Sequence, residues 1–528
     1  MKINVNNIIV SILKNQDKEI EKEILKRGIQ KTNIEKISWL KRSIDSRKKS
    51  DIKFVYNVEV ILKNEIDVKK LKNISLVKEE KYLKREAINI DKKILIVGAG
   101  PAGLFAGLRL VEYGYKPIII ERGEDIDSRD KTIENFVNNG IFNKESNIQF
   151  GEGGAGTYSD GKLNTRIRSE YIDKVFKEFV ECGAQEEIMW DYKPHIGTDV
   201  LKEVIKNLRN KIISLGGKFY FNNKLEEIYL ENNKIIGALI KNDKRQLEKL
   251  EVENIILAVG HSARDTYRML NKKGVFMENK PFAVGARIEH PRKDIDEMQY
   301  GKFAGHKNLG AATYNFTYNN FDEERGVFSF CMCPGGVIVN AASEEGGSLV
   351  NGMSYSGRDG RFSNSALVVA IKENEFGDHL FSGMEFQERL ERKTFELVKE
   401  YGALYQSVPD FLEGKVTEKE IESSYQMKKT PYDLNKFFPE VITRNMKMAL
   451  KYWQKNYPLF VTERANLIAP ETRTSAPIRI TRNENGESLN IKGLYPIGEG
   501  AGYAGGIVSA GVDGLKIIDK VFTKIVEE

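Results

Sequence analysis

Residues 94–103 read Ile-Leu-Ile-Val-Gly-Ala-Gly-Pro-Ala-Gly, and residues 118–123 read Ile-Ile-Ile-Glu-Arg-Gly. The chemistry these spacings suit is phosphate and ribose binding. An apolar strand enters G-x-G-x-x-G. Gly98 permits the tight turn, Gly100 lets the backbone approach a pyrophosphate, and Gly103 lets the next helix sit close to its sheet. That helix opens at Pro101 and Ala102, where free N–H groups and the positive dipole end face an anion. Glu121 ends the second apolar run, 18 positions after Gly103, with Arg122 beside it. A carboxylate there accepts the hydroxyls of an adenosine ribose. The bland alternative is a glycine-rich turn with no ligand; the order of strand, glycines, helix and acid argues against it.

NAD and FAD both suit that fingerprint, and the far end of the chain chooses between them. Residues 493–515 carry a short strand (Leu494 to Ile497), then Gly498-Glu499-Gly500, then a helix start near Gly505, with Gly506 and Ile507 leading it in. This resembles the C-terminal FAD motif of glutathione-reductase-like flavoproteins. The resemblance implies that the acid binds the ribityl chain and that the helix N-terminus stabilises negative charge on the reduced flavin. The usual acid is Asp; Glu499 is one methylene longer. A third piece, Asn254-Ile-Ile-Leu-Ala-Val-Gly260, looks like the strand and turn of the same flavoproteins, with Val259 where Thr is usual and Gly260 after it. Residues 217–240 alternate as a β-meander with a turn at Glu231-Asn232-Asn233. By resemblance, the backbone near Lys224 and Leu225 meets the adenine.

A second glycine run, Phe150-Gly-Glu-Gly-Gly-Ala-Gly-Thr-Tyr-Ser-Asp-Gly-Lys-Leu163, formally repeats G-x-G-x-x-G. No apolar strand leads in and no strand-plus-acid follows, so it is not a second dinucleotide fingerprint. It resembles the glycine loop that lies beside the isoalloxazine in fumarate-reductase-like flavoproteins, which puts Gly153, Gly154, Ala155 and Gly156 at the flavin. Further similar stretches are Lys41 to Lys49, Lys193 to Asp199, Phe330 to Gly336, Val350 to Ser354 and Glu471 to Pro477. Together they identify the chain as resembling a bacterial family of uncharacterised FAD-dependent dehydrogenases with an N-terminal ferredoxin-like domain. The likeness runs over nearly the whole chain. It implies FAD and an oxidoreductase, and it names no substrate.

Three residues are candidates for the chemistry. Arg473 sits upstream of the ribityl motif, where it either holds a substrate carboxylate or reduced-flavin charge, or pairs with a domain-interface acid. His195 is a candidate proton donor or a structural hydrogen-bonding group. Lys162, with Asp160, closes the glycine loop and meets cofactor or substrate. His261 and Arg264, just past the Val259-Gly260 turn, are expected near the pyrophosphate. Cys331 and Cys333 read as buried thiols near a turn, one of them facing the flavin as the alternative. They are too sparse for a metal or cluster site, and no metal is expected. Without C-x-x-C, the dithiol chemistry of thioredoxin-reductase-like enzymes is not expected.

The elements that must position these residues divide the chain into four parts: 1–90, a ferredoxin-like domain; 91–280, the first part of the FAD domain; 281–455, an inserted substrate or cap domain; and 456–528, the FAD domain's return. The fold class expected is α/β: a glutathione-reductase-like FAD-binding Rossmann domain with an inserted α+β cap and the small N-terminal domain. That first domain reads strand (Ile3 to Ile12), helix (Asp17 to Arg27), strand (Ile34 to Arg42), strand (Ile52 to Leu62), then a short helix and strand around Val68 to Val77. Residues 78–93 read as a charged linker.

Residues 1–93 hold 24 Lys and Arg against 14 Asp and Glu, a surplus of ten in a chain of net charge +6, so the remainder is acidic by four. That surplus raises a nucleic-acid partner. A lysine-rich solvated face is favoured, since Trp39, Phe54, Tyr56 and Tyr82 are too widely spaced to stack bases. Of 528 residues 41% are hydrophobic, enough for several cores, yet no run approaches the roughly 18 apolar residues a membrane span needs. The N-terminus lacks a signal peptide's layout, and three cysteines make no disulfide framework, so the expected setting is cytoplasmic. The leading expectation is an oxidoreductase passing a hydride or electrons between non-covalent FAD and a small molecule, with NAD(P)H as a transient reductant. The alternatives are a flavin-dependent hydroxylase and a nucleic-acid-associated flavoprotein guided by the basic domain.

Overall fold

A computed structural model describes residues 1–69, 71–77 and 84–526. At its centre is a five-stranded parallel sheet in the order Leu494–Pro496, Asn254–Leu257, Ile94–Val97, Ile118–Ile120, Lys218–Tyr220. Ile94–Val97 and Asn254–Leu257 are buried at every position, as continuous apolar strands covered on both faces must be. One face is covered by the helices Pro101–Glu112, Thr198–Ser214 and Ile507–Phe522. The other carries a three-stranded antiparallel sheet, Lys224–Glu231, Lys234–Lys241 and Leu247–Leu250. The hairpin turns on Asn232 and Asn233, both at positive φ (49° and 57°), the conformation a two-residue hairpin loop demands.

Small residues let the helices close on each other. A Cβ on Gly514 would lie 2.4 Å from the Ala102 carbonyl oxygen, and one on Gly511 would lie 2.7 Å from the Phe105 ring. The N-terminus of helix 101–112 and that of helix 507–522 are thereby brought to the same edge of the sheet.

A second, eight-stranded sheet runs Thr317–Asn320, Arg325–Phe328, Phe362–Ile371, Phe282–Pro291, Asn466–Glu471, Gly402–Ser407, Lys428–Pro431, with Met332–Cys333 paired to Phe362–Ile371. The helices Ser382–Val398 and Glu440–Gln454 bury apolar side chains in the core beneath this sheet. Strand Asn466–Glu471 pairs with both Phe282–Pro291 and Gly402–Ser407. The expected edge of the inserted part at 455 therefore falls short, because its sheet draws a central strand from beyond it.

The first residues form a four-stranded antiparallel sheet in the order Ile34–Asp45, Lys53–Leu62, Lys2–Ser11, Ile74–Leu76. Helix Gln16–Lys26 is capped by Asn15, whose side chain accepts from Lys18 N, and buries Ile20 and Ile24. The short helix expected after Val68 is absent among the described residues: 71–73 form a turn before the last strand. Part of the expected linker, 78–83, and Tyr82 with it, lie outside the described residues. The rest is not free chain, since Arg85–Ala87 pairs antiparallel with Thr523–Ile525. The basic sheet also docks on the body. Arg42 pairs with Asp191 at 2.7 Å and lies over the Trp190 ring, and Trp39 meets Trp190 edge-on at 4.8 Å.

No helix among the described residues is long and apolar enough to cross a membrane. The turns at 98, 258–260 and 498–500 meet backbone to backbone, and this yields a test. A Cβ on Gly500 would fall 1.8 Å from the Val259 carbonyl oxygen, with no flexible atom to yield. Gly500→Ala is expected to destabilise the apoprotein by about 3 kcal/mol. Gly505→Ala, whose Cβ would meet nothing within 4 Å, should leave its calorimetric transition in place.

Candidate functional site

The three turns surround one deep cavity at the carboxyl edge of the parallel sheet, where ligands of open α/β folds bind. Gly98, Gly100, Pro101 and Ala102 form one wall, Val259, Gly260 and His261 a second, and Glu499, Gly505, Gly506 and Ile507 a third. Gly98 (φ 105°) takes a conformation only glycine adopts freely, and its Cβ would meet the Ala258 carbonyl oxygen at 2.5 Å. Gly100 differs: its Cβ would have only Gly154 Cα at 4.0 Å, so the space beside it is open for a ligand. Both helix starts, Gly100 for 101–112 and Gly506 for 507–522, lack a side-chain cap. Two sets of end-of-helix N–H groups thus face one cavity without a protein acceptor from their own caps.

The glycine loop lies across this opening. Gly153 N donates to the Ala99 carbonyl at 2.8 Å, and a Cβ on Gly156 would lie 3.1 Å from Ile507. Gly151, Gly154, Ala155 and Gly156 line the cavity; Gly153 is tucked behind it against Thr157, so its expected place at the flavin is corrected to a packing role. Gly103 and Gly498 are packing glycines too. Their Cβ atoms would strike the Gly98 carbonyl oxygen at 2.0 Å and Ala102 Cβ at 2.7 Å.

Glu121 is buried on the cavity wall. Oε2 accepts from Ala99 N at 2.9 Å, and Oε1 accepts from Gly123 N and Gly151 N at 3.0 Å each. Three of about four acceptor positions are filled, which leaves one for a ribose hydroxyl. Arg122 stacks over Phe150 at 4.2 Å and makes two 2.9 Å bonds to Asp265. Lys224 reaches the same carboxylate at 2.8 Å. Burial raises the Asp265 carboxyl, and Arg122 with Lys224 outweighs it, holding the group well below the ordinary carboxylate range. Lys224 and Leu225 line this end of the cavity. Glu499 enters at the opposite end, with His261 Nε2 3.9 Å away. Burial pushes Glu499 up to about 7 against the pull of Lys280, and burial takes His261 down to about 3.

The far wall comes from the eight-stranded sheet and its loops, from the two-stranded pair Val337–Asn340 and Val350–Met353, and from the end of the glycine loop. Lys162, Phe330, Cys331, Cys333, Asn351 and Glu471 line it. Arg287 organises it: Nη1 bonds both oxygens of Glu471 (3.1 and 3.2 Å), and Nη2 donates to the Cys331 carbonyl at 2.8 Å and to Asn364 Oδ1 at 2.7 Å. Burial pushes Glu471 up to about 7 even beside Arg287. Lys162 Nζ donates to the Met332 carbonyl.

Two candidates for chemistry are corrected. Arg473 borders the cavity, but its guanidinium is committed to Glu391 at 2.9 and 2.6 Å and to Ser343 Oγ. It is the interface partner of a buried acid rather than a free cation for substrate. His195 is not on the wall. Its backbone bridges to Lys162, and its ring nitrogen Nε2 sits 3.3 Å from the Ser356 carbonyl. Arg264 is likewise away from the pyrophosphate position: 1% exposed, it holds Glu391 at 2.8 and 3.0 Å from the other side. The residues missed from sequence are Glu471, Asn351 and Arg287. Glu471 lay within a stretch already singled out. Arg287 sits in an alternating strand, where an arginine reads as solvent-facing until the sheet is seen to be covered. No cluster of His, Cys, Asp and Glu suited to a metal is found among the described residues.

The donor set fits a flavin dinucleotide: a glycine cradle with open helix ends, an acid at each end of a long cavity, and a redox-side wall. Such a fold and site define a dinucleotide-binding flavoprotein. Residues 92–293 match the sequence profile of the pyridine nucleotide-disulphide oxidoreductases. Residues 281–474 match that of the FAD-dependent protein, C-terminal domain-like family, and residues 2–61 that of a domain of unknown function. A Clostridium beijerinckii protein described only as uncharacterized is 45% identical over 534 residues, 99% of each chain. The chain belongs to that protein's family, one of FAD-dependent oxidoreductases, and its cofactor is FAD. Solved structures resemble it more distantly. The Bacillus halodurans glycerol-3-phosphate dehydrogenase with FAD is 10% identical, covering 82% of this chain and 64% of its own, at TM-score 0.37. The Bacillus cereus glycine oxidase is 11% identical, covering 82% and 97%, at TM-score 0.33.

The Arg264–Glu391–Arg473 cluster gives a stability test. Burial raises the Glu391 carboxyl, and the two guanidinium groups outweigh it and hold it well below its ordinary value. Its contribution is therefore full above the unfolded carboxyl value of about 4.3 and is lost as pH falls through the lower folded value. Glu391→Gln leaves two buried guanidinium groups to share the single carboxylate of Glu344, so chemical denaturation at pH 7 should show a loss of about 3 kcal/mol.

Proposed function

We propose that the chain is a dehydrogenase that moves a hydride between a small-molecule substrate, held against the Lys162–Cys331–Glu471 wall, and FAD lying along the cavity. The observation that carries this reading is the convergence of two uncapped helix N-termini and the 151–156 glycine loop on one cavity, closed on its far side by polar groups from a separate sheet. Bound FAD supplies the two-electron redox chemistry. The chain's residues position it: Gly98, Gly100, Pro101 and Ala102 at the pyrophosphate, Glu121 and Arg122 at the ribose, and Leu225 at the adenine. Val259 and Gly260 flank the phosphates. Gly154, Ala155 and Gly156 bear on the ring, Glu499 on the ribityl chain, and Gly506 with Ile507 on the flavin's polar edge.

When hydride leaves a carbon that bears O–H or N–H, a proton must leave with it. Glu471 is the group on the wall suited to take it. It is buried, held in one orientation by Arg287, and poised near neutrality. Lys162, oriented by the Met332 carbonyl, presents a cation to substrate. With one dinucleotide fingerprint only, NAD(P)H serves as a reductant that visits the flavin transiently. The first sheet's strand order and directions support a ferredoxin-like domain, and its docking through Arg42 and Trp39 supports a structural rather than nucleic-acid-binding face. Free Cys182, Cys331 and Cys333 suit a reducing, cytoplasmic setting.

Anaerobic stopped-flow reduction of the yellow protein by NADH, NADPH and a panel of hydroxy and amino acids tests this. One class should bleach the flavin band, with a rate that rises with pH through about 7 as Glu471 loses its proton. Glu471→Gln should slow that step by about 10²-fold or more and flatten the profile. Rates unchanged in the variant would remove Glu471 from the chemistry.

A further inference from the structure

Of the lysines and arginines that line the cavity, Arg122 and Lys224 meet Asp265, and Arg473 meets Glu391. Lys162 differs. Among the described residues it has no carboxylate partner, and its Nζ donates to the neutral Met332 carbonyl. An ammonium carries more donors than that one carbonyl uses, so some remain unspent. The backbone fixes where Lys162 stands. It faces His195 across an antiparallel bridge, with Leu163 N donating to the Pro194 carbonyl at 3.0 Å and Ile196 N to the Gly161 carbonyl at 3.1 Å.

Asn351 adds a second donor. It stands on the strand Val350–Met353 and lines the same wall. Gly352 N donates to its Oδ1 at 2.8 Å, and Arg287 Nη1 approaches the same oxygen at 3.5 Å. A guanidinium and a backbone N–H can only donate, so the oxygen is held on their side and the amide nitrogen is turned away from them. No described residue accepts from that nitrogen. Arg287 ties these groups together. It also holds Glu471 and the Cys331 carbonyl, and the next carbonyl along, that of Met332, accepts from Lys162.

A wall that offers a cation and an amide as donors, beside one base, suits a ligand group that is negative and only accepts. A carboxylate is such a group, with two oxygens in one plane. An ammonium would find no free acid there. Asp160 accepts from Arg358 Nε at 3.0 Å and from Ser354 Oγ, and Glu471 is engaged by Arg287. That favours a hydroxy acid over an amino acid.

We propose that the substrate is a 2-hydroxy acid, its carboxylate bridging Lys162 Nζ and Asn351 Nδ2 and its hydroxyl directed at Glu471. In its oxidation the C2–H bond breaks and the hydrogen passes with its electron pair to FAD. The O–H bond breaks, its proton goes to a Glu471 carboxylate oxygen, and the C–O bond becomes the carbonyl of a 2-oxo acid. The electron pair the substrate loses is the one the cofactor gains. This substrate class rests on the dehydrogenase reading above.

The test titrates the full-length yellow holoenzyme anaerobically with oxalate, which has the carboxylate and its neighbouring oxygens but no hydrogen to give up, and with inorganic phosphate. Oxalate should shift the flavin band saturably, and phosphate should not. Lys162→Met and Asn351→Asp should keep the flavin band and each weaken oxalate by at least about tenfold, the scale of one hydrogen bond to a charged group. Asn351→Asp keeps the oxygen that Arg287 and Gly352 N use, so it removes the donor and not the support. In the same cuvette 2-hydroxy acids should bleach the band, and the matching 2-amino acids and 1,2-diols should not. Oxalate binding that is absent, unchanged in both variants or equalled by phosphate overturns the carboxylate site. Bleaching by amino acids or diols in place of hydroxy acids also overturns it and leaves the dehydrogenase reading standing. A flavin that none of the three sets bleaches overturns both.

Discussion

Everything in this structure depends on how closely three glycine turns approach one another. At 98, 258–260 and 498–500 the backbones are in contact: a Cβ on Gly98 would meet the Ala258 carbonyl oxygen, and one on Gly500 the Val259 carbonyl oxygen. That closeness has an electrostatic result. The helices that begin at Pro101 and Ile507 pack closely, Gly514 against Ala102 and Gly511 against the Phe105 ring, so their N-termini open side by side. Their unpaired N–H groups need an acceptor that neither cap supplies. An anionic, multiply accepting ligand such as a flavin dinucleotide completes them, which is why the glycine pattern and the cofactor are one physical fact.

The far wall depends on buried charge instead. Arg287 with Glu471, and Arg264 and Arg473 with Glu391, sit where water is excluded. Such pairs contribute little net stability against apolar replacements, but breaking one is costly, so each fixes a geometry. Arg264 lies just past the nucleotide turn at 260, Glu391 on the helix Ser382–Val398, and Arg473 just past the strand Asn466–Glu471. The cluster therefore ties the wall that bears the cap sheet to the wall that bears the nucleotide. Glu471 and Glu499, both lifted toward neutrality, stand on opposite sides of the same cavity, one positioned by Arg287 and the other near His261.

The nucleotide half was legible in the sequence because its signals are local. Ile94 to Gly103 carries strand, turn and helix start in ten residues, and Glu121 follows at a fixed distance. The Asn232-Asn233 turn and the four strands of the first sheet were legible for the same reason, through alternation and positive-φ residue types. The far wall was not. Arg473 and His195 looked available because their partners, Glu391 and the Ser356 carbonyl, lie 82 and 161 positions away. Glu471 gained its role only when Arg287, 184 positions upstream, met it across two paired strands. The strand at 466–471 belongs to a sheet whose other members begin up to about 180 residues before it, and no local period marks that membership.

The most direct measurement is FAD binding to the apoprotein by flavin fluorescence quenching, wild type beside Gly100→Ala. Gly100 faces open space, so its new methyl leaves the fold intact and occupies the position where a pyrophosphate would touch the backbone. The account predicts one FAD per chain in the wild type and at least tenfold weaker binding in the variant. A wild type that takes up no FAD, or a variant that binds it equally well, would contradict it.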